Sequence, residues 1–170
     1  MKVCTDACLF GAWVASKIGN EITAVNHVLD IGAGTGLLSM MMAQKTNNTI
    51  IDAVEIEGNA ASQARENLIS SPWGNRMNVI EGDIKTLQLA PKFDLVISNP
   101  PFYKNDLKSP DNTKNIAHHS ADLSLLELID IAKKLLTPKG KFAILLPFRR
   151  VADLEKQSTN AGFFIELKTY

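Results

Sequence analysis

Short apolar runs alternate along most of the chain with segments whose apolar positions recur at helical spacing. The runs predict strands at residues 26–32, 49–56, 76–83, 92–99, 141–147 and 162–170. The intervening segments predict helices at residues 37–45, 59–70, 120–136 and 149–160. Strands that alternate with helices are typical of a parallel sheet whose right-handed crossovers place helices on both faces. We therefore predict an α/β fold with a doubly wound, mostly parallel sheet.

One polar stretch interrupts this alternation. Residues 104–119 contain Pro110 and several asparagine and aspartate residues, with no apolar periodicity. A loop of this length inside a compact domain is uncommon and is often functional. It begins where the sequence SNPPFY, residues 98–103, ends.

Composition narrows the class of protein without indicating a partner. With 170 residues, 45% hydrophobic and 21% charged, the chain suits one globular domain over residues 1–170. Lysine plus arginine equals aspartate plus glutamate at 18 each, so a nucleic-acid partner must be inferred from a local site. Cys4 and Cys8 are the only cysteines, which indicates reduced thiols in a cytoplasmic protein and not a zinc site. No apolar run is long enough to span a bilayer.

The sequence VLDIGAGTG, residues 28–36, is the strongest indication of a ligand site. Its glycines stand at positions 32, 34 and 36, between a predicted strand and a predicted helix. Glycine in such a loop lets the backbone turn tightly and approach a ligand closely. A dinucleotide fingerprint would need glycine where Leu37 stands, and a P-loop would need a Gly-Lys-Ser/Thr ending. The spacing therefore argues against both NAD and nucleoside triphosphates.

Two acids follow at the ends of the next two predicted strands. Glu55 comes 19 residues after Gly36, at a position that reaches a ribose in doubly wound sheets. Asp83 ends the third strand, where it would contact an adenine or its surroundings. Either acid alone also fits a surface carboxylate in a turn. Together with the glycine loop, the two acids predict a cofactor site.

The sequence SNPPFY admits two interpretations. Prolines end a strand because they lack an N–H, and the two aromatic rings would then cap the sheet. Alternatively, the Asn99 side-chain oxygen and the Pro100 carbonyl accept hydrogen bonds from the two N–H groups of an amino or amide nitrogen. Phe102 and Tyr103 would then stack on a planar substrate. Because the motif ends the fourth strand after the glycine loop, we favour an amino-group clamp with Asn99, Pro100 and Phe102 as its catalytic residues.

The glycine loop resembles the first motif of the class I S-adenosylmethionine-dependent methyltransferases. The resemblance implies a Rossmann-like fold with S-adenosyl-L-methionine as cofactor. It implies that Glu55 binds ribose and that Asp83 and Ile84 flank the adenine. The remaining residues that it implies for the cofactor site are Asp30, Gly32, Ala33, Gly34 and Gly36.

The tetrapeptide at residues 99–102 resembles the N/D-P-P-Y/F motif of amino-methyltransferases. That group includes adenine enzymes of DNA and RNA, enzymes of the guanine exocyclic amine and release-factor glutamine enzymes. The resemblance therefore implies the reacting group more firmly than the substrate.

Three longer segments of the sequence narrow the class of substrate. Residues 1–15, 99–109 and 117–128 resemble the bacterial tRNA adenine-N6 methyltransferases that act on the anticodon loop of valine tRNA. An adenine in such a loop is unpaired, which suits stacking and edge recognition. The resemblance implies methylation of a tRNA adenine on its exocyclic amine, in the cytoplasm. The alternatives are a guanine amine of ribosomal RNA, a glutamine side chain of a protein, and a non-catalytic binding module.

For several polar residues, two interpretations remain open. Lysines at 104, 108 and 114 either contact RNA phosphates, with Lys104 nearest the clamp, or belong to a solvated loop. His118 and His119 either touch the substrate or cap the following helix, and we assign them no metal. Thr5 and Asp6 either close the cofactor pocket or cap a helix that begins there.

Members of the resembled family are longer at both ends. The resemblance therefore implies a single methyltransferase domain over residues 1–170 that is shortened at both ends relative to the family. It also implies that the family's final antiparallel strand is lacking, which would leave an unpaired sheet edge near residues 163–167.

Overall fold

The computed structural model describes residues 5–18, 25–101, 123–166 and 168–169. The strands are β1 His27–Ile31, β2 Ile50–Glu55, β3 Met77–Glu81, β4 Phe93–Ser98 and β5 Leu136–Ile144. The α-helices of the described residues are α1 Thr5–Lys17, α2 Leu37–Lys45, α3 Gly58–Ile69, α4 Leu125–Leu135 and α5 Val151–Asn160. Short 3₁₀ turns at Gly74–Arg76 and Phe148–Arg150 precede β3 and α5.

The strands form one parallel sheet in the order β3-β2-β1-β4-β5. The chain builds outward from β1 through β2 to β3 and then returns to the other side of β1 with β4. At such a reversal, the connections that leave β1 and β4 cover opposite faces and open a crevice at the carboxyl ends of these strands. The predicted doubly wound α/β fold is confirmed.

Two hydrophobic clusters cover the two faces of the sheet. Val28 joins the cluster formed with Met42 of α2 and Leu68 of α3, and α1 packs there as well. Leu29 joins the other cluster, with Leu128 of α4. Because side chains alternate along a strand and both faces are covered, β1 buries apolar side chains on both of its faces. This burial holds the carboxyl end of β1 in the middle of the molecule.

A capping box defines the start of α4. The Ser124 hydroxyl accepts a hydrogen bond from the Glu127 N–H at 3.2 Å, and the Glu127 carboxylate accepts one from the Ser124 N–H at 2.8 Å. This reciprocal pair satisfies two donors that the first turn of a helix leaves free. The helix predicted from residue 120 therefore begins at Leu125, and residues 120–122 lie outside the described ranges.

The edge strand begins earlier than its apolar pattern predicts. β5 starts at Leu136, opposite Phe93, and its register then jumps so that Leu95 faces Lys141. Residues 137–140 bulge out between these two pairs, which is consistent with Pro138 having no N–H to donate to a ladder. The four residues between the predicted helix at 120–136 and the predicted strand at 141–147 are thus an interruption within one strand.

Residues 163–166, predicted as a strand, form no ladder in the described part of the chain. Phe163 packs instead against Phe142 of β5, with ring centroids 6.2 Å apart. An apolar run becomes a strand only where a neighbouring backbone pairs with its N–H and C=O groups. Here side-chain packing occurs without that pairing, so the strand prediction was wrong for these residues.

No α-helix of the described ranges has both the length and the apolar character needed to cross a membrane. The prediction of one domain over residues 1–170 that is shortened relative to its family stays a prediction.

Candidate active site

The strand register brings the predicted site residues to one edge of the sheet. Ile31 at the end of β1 pairs with Val54 of β2 on one side and with Ser98 of β4 on the other. Glu55 ends β2 opposite Glu81 of β3. The carboxyl ends of β3, β2, β1 and β4 therefore lie side by side in that order. At ~4.8 Å between neighbouring strands, the row is about 14 Å long.

The glycine loop after β1 has a backbone that only glycine adopts readily. Gly32, Gly34 and Gly36 have φ angles of 73°, 58° and 84°. A Cβ at Gly36 would collide with the Leu68 side chain, so this glycine allows α3 to pack closely. A Cβ at Gly32 would meet nothing within 4 Å. The loop is thus packed on one side and open beside Gly32.

The loop is also held by the neighbouring strand. The N–H groups of Gly32 and Ala33 both donate to the Val54 carbonyl, at 2.9 Å and 3.0 Å. The Gly36 N–H donates to the Ala33 carbonyl at 2.9 Å, which closes the turn into α2. These bonds fix the position of the loop against the end of β2.

Asp30 is fully buried beneath the loop with one unsatisfied oxygen. Its Oδ2 accepts hydrogen bonds from the Ser39 N–H at 3.1 Å and from the Ser39 hydroxyl at 2.7 Å. Its Oδ1 has no partner among the described residues. Burial raises the pKa of Asp30 to about 6, the bonds from Ser39 oppose this rise, and the nearby Glu55 adds to it. A buried unpaired carboxylate oxygen is costly unless a ligand supplies a donor.

Glu55 is fixed at the end of β2 by two backbone donors. It is 8% exposed, its Oε2 accepts from the Gly34 N–H at 2.7 Å, and its Oε1 accepts from the Glu57 N–H at 2.9 Å. Each oxygen of an ionised carboxylate has a further lone pair. The side chain can therefore accept two more hydrogen bonds while it keeps its bond to the Gly34 N–H of the glycine loop.

Asp83 and Ile84 present contrasting surfaces after β3. Asp83 is partly exposed, and its Oδ1 accepts from the Lys85 N–H at 2.9 Å, with the Lys85 Nζ 3.8 Å from its Oδ2. Ile84 is buried and packs in the same hydrophobic cluster as Val54. A polar group beside an apolar one suits a flat ring with a polar edge.

Asn99 and Pro100 follow β4 directly, beside the glycine loop. The preceding Ser98 is buried, and its hydroxyl donates to the Ile31 carbonyl at 2.8 Å, while its own carbonyl accepts from the Leu145 N–H at 3.1 Å. Pro100 is buried and Asn99 is half-buried. The Asn99 amide makes no hydrogen bond to the described residues. The end of the strand is thus held on both sides while the amide remains available.

Other predicted residues are only partly accounted for. Thr5 and Asp6 are exposed in the first turn of α1, where an acid interacts favourably with the helix dipole. In the described ranges, no three histidine, cysteine, aspartate or glutamate side chains gather to hold a metal ion. Predicted residues outside the described ranges are Cys4, Phe102, Tyr103, Lys104, Lys108, Lys114, His118 and His119.

Two side chains that hold the glycine loop were not identified from the sequence. Ser39 binds Asp30, and the Asn67 side chain of α3 donates to the Thr35 carbonyl at 2.9 Å. These contacts join residues nine and 32 positions apart along the chain. No local pattern marks such pairs.

A cavity of about 1010 Å³ lies away from this row, along β5. Its lining is mainly apolar and includes Phe10, Trp13, Phe142 and Phe163. It contains none of the predicted cofactor residues. We place the candidate site in the crevice between β1 and β4 instead, because polar groups with unused bonding capacity converge there.

Known proteins resemble this chain in sequence and in fold. A family profile described as "Methyltransferase small domain" matches residues 14–151. A tRNA1(Val) (adenine(37)-N6)-methyltransferase of Dyadobacter fermentans is 42% identical over 168 residues, which are 99% of this chain and 68% of the relative. Its namesake in Tolumonas auensis is 40% identical over 167 residues, 98% of this chain and 68% of the relative.

Among solved structures, a precorrin-6y C5,15-methyltransferase of Geobacter metallireducens matches with a TM-score of 0.65 and 17% identity. The match covers 93% of this chain and 73% of that protein. At this level of identity the likeness shows the fold.

Proposed function

This chain belongs to the methyltransferase small domain family and to its tRNA1(Val) (adenine(37)-N6)-methyltransferase members, and we propose that it methylates the exocyclic amine of a tRNA adenine. S-adenosyl-L-methionine is the methyl donor. The observation that carries the proposal is the strand register, which aligns Glu55, the glycine loop and Asn99 in one row. A tRNA substrate also implies a cytoplasmic enzyme.

The side chains of the row fit the parts of S-adenosyl-L-methionine. The unused lone pairs of the Glu55 carboxylate suit the two ribose hydroxyls, and Asp83 with Ile84 suits an adenine edge and face. The unpaired Oδ1 of Asp30 suits the ammonium group of the amino-acid part. The open space beside Gly32 admits that part without contact with a Cβ.

When bound, the cofactor supplies a sulfonium methyl group that is already activated for attack by a nitrogen lone pair. The residues of the chain position that nitrogen for the attack. The Asn99 side-chain oxygen and the Pro100 carbonyl accept hydrogen bonds from the two N–H groups of the amine. These hydrogen bonds draw the nitrogen lone pair out of conjugation with the ring. The bonds at Ser98 hold these acceptors in place, so they need little reorganisation. The adenine nitrogen would form a bond to the methyl carbon as the bond from that carbon to the sulfonium sulfur breaks, which leaves S-adenosylhomocysteine, and the nitrogen would release one proton to water.

Residues after Pro100 complete the substrate side of the proposal. Phe102 and Tyr103 stack on the flipped adenine, and Lys104 contacts a phosphate. Stacking on an aromatic ring contributes about 1–3 kcal/mol per base. These roles come from the sequence, since the three residues lie outside the described ranges.

Methyl transfer to tRNA tests the function directly. Bulk tRNA from cells that lack this modification is incubated with the chain and methyl-labelled cofactor, then digested to nucleosides. We expect the label in N6-methyladenosine, and no label in a transcript whose target adenine is replaced by guanosine. Label in a guanine nucleoside, or in a protein glutamine offered as substrate, would contradict the tRNA assignment. Cofactor binding without transfer to any acceptor would favour the binding module.

Replacing Asp30 by asparagine should change how stability depends on pH. The pKa of Asp30 rises from 3.8 to about 6 in the folded chain, so the native state binds more protons between these values. The free energy of unfolding therefore falls as pH increases through this window. A shift of this size corresponds to about 3 kcal/mol. Asp30→Asn removes this contribution while other titrating groups stay the same.

Urea unfolding of both proteins between pH 4 and pH 7 measures the effect. We expect Asp30→Asn to gain stability relative to the unsubstituted chain as pH rises, by about 2 kcal/mol across this range, because pH 4 already lies above the unfolded pKa of 3.8. Parallel stability profiles for the two proteins would show that Asp30 is not a buried carboxylate with a raised pKa.

A further inference from the structure

We propose that Ser39 is a positioning residue for the amino-acid end of the cofactor, because it holds the Asp30 carboxylate with its Oδ1 free for the ligand ammonium group. The inference rests on the proposed function, since it takes S-adenosyl-L-methionine as the ligand. It goes further by assigning a role to a helix residue that the ligand itself does not touch.

Two bonds from one residue fix the orientation of the carboxylate. Both the N–H and the hydroxyl of Ser39 donate to Oδ2 of Asp30, at 3.1 Å and 2.7 Å. Ser39 and Asp30 are both 0% exposed, so water does not compete for these bonds. A carboxylate bound twice through one oxygen cannot rotate freely, and its Oδ1 is turned away from Ser39. The unpaired oxygen is therefore a fixed feature of the fold.

The bonding at the start of α2 explains why Ser39 takes this role. Gly36 precedes the helix with a φ of 84° and offers no side-chain cap. Ser39 is the third residue of the helix, and its N–H is one of the donors that a helix start leaves unsatisfied. The Asp30 carboxylate of β1 accepts a hydrogen bond from this N–H, as the side chain of a capping residue would do. The positive end of the helix dipole also favours the carboxylate in its charged form.

Glu55 does not substitute for Asp30 as the ammonium partner. Both of its oxygens accept backbone donors that tie it to the glycine loop and to Glu57, and the proposed function assigns their remaining lone pairs to the two ribose hydroxyls. Among the described residues, Asp30 is the buried carboxylate that keeps one oxygen without a hydrogen-bond partner. A cation that reaches this oxygen relieves the cost of burying it unpaired.

Two ligands that differ only at the amino-acid end separate this role from general stability. S-adenosylhomocysteine carries the ammonium group, whereas 5′-methylthioadenosine keeps the adenine, ribose and sulfur without the amino acid. By calorimetric titration, Ser39→Ala should bind S-adenosylhomocysteine about tenfold more weakly. Its affinity for 5′-methylthioadenosine should stay unchanged. Ser39→Thr, which keeps the hydroxyl, should restore most of the lost affinity.

Thr49→Val is the matched control. Thr49 is 2% exposed, and its hydroxyl donates to the Val25 carbonyl at 2.6 Å, at the other end of the sheet. This variant also loses one buried hydroxyl, and it should bind both ligands as the unsubstituted chain does. Thermal melts of every variant confirm that each is folded at the titration temperature.

The outcomes distinguish the two proposals. An unsubstituted chain that is folded but binds neither ligand would overturn the proposed function, and this inference with it. Binding of both ligands by the unsubstituted chain, with equal loss of both in Ser39→Ala, would overturn the inference alone. Undiminished binding of S-adenosylhomocysteine by Ser39→Ala would do the same.

Discussion

Alanine at position 99 is expected to lower the rate of methyl transfer by about 10²–10³ while S-adenosylhomocysteine binds with nearly unchanged affinity. The Asn99 amide lies beyond the end of β4 and makes no bond to the described residues, so its loss leaves the fold and the cofactor residues intact. The substrate nitrogen then loses one of its two fixed acceptors. Single-turnover rates with saturating tRNA, together with calorimetric titration of S-adenosylhomocysteine, measure the two quantities separately.

Two further variants sharpen this experiment. Asn99→Asp keeps an acceptor oxygen and should retain part of the rate, since an aspartate also occurs in the motif that residues 99–102 resemble. Asn160→Ala, at the exposed end of α5, loses the same side chain far from the crevice and should behave normally. A loss of cofactor affinity in Asn99→Ala as large as its loss of rate would contradict the clamp.

Alanine at position 32 should weaken the binding of S-adenosylhomocysteine by about 100-fold, equivalent to about 3 kcal/mol. A Cβ there meets no protein atom within 4 Å, so it would occupy the open space proposed for the amino-acid part of the cofactor. The backbone φ of 73° adds strain of about 1–2 kcal/mol to the folded state. Calorimetry measures the affinity, and urea unfolding measures the strain.

Gly162→Ala provides a matched control for strain. Gly162 has a φ of 82°, and a Cβ there would have only the Lys133 Nζ within 4 Å, at 3.4 Å. Both alanine variants should therefore lose similar stability, while only Gly32→Ala loses affinity. Normal affinity in Gly32→Ala would mean that the ligand does not occupy the space beside the glycine loop.

Local sequence patterns predicted most of the elements that carry the site. Residues 37–45 were predicted as a helix and form α2 with those bounds, because the glycine loop before them and Thr46 after them limit the helix. The runs that became β1, β2 and β4 are apolar on both faces, which a buried parallel strand requires. Since parallel strands place their carboxyl ends at one edge, the meeting of Glu55 and the glycine loop also followed from the sequence.

Contacts between distant residues account for what the sequence did not predict. The bond between Ser39 and Asp30 depends on the angle at which α2 leaves the glycine loop. The early start of β5 depends on a single pairing of Leu136 with Phe93. Residues 163–166 have the apolar pattern of a strand but make no backbone ladder in the described chain. In each case the deciding partner lies elsewhere in the sequence.

The reversal of strand order at β1 divides the crevice between two parts of the chain. On the proposed assignment, the groups that bind the methyl donor come from residues 30–84, and those that bind the acceptor come from residues after Ser98. Mutations could therefore redirect such a scaffold to a new acceptor by changing the later segments alone. The donor pocket would be inherited unchanged, which offers an evolutionary route by which one ancestral domain diversifies its targets.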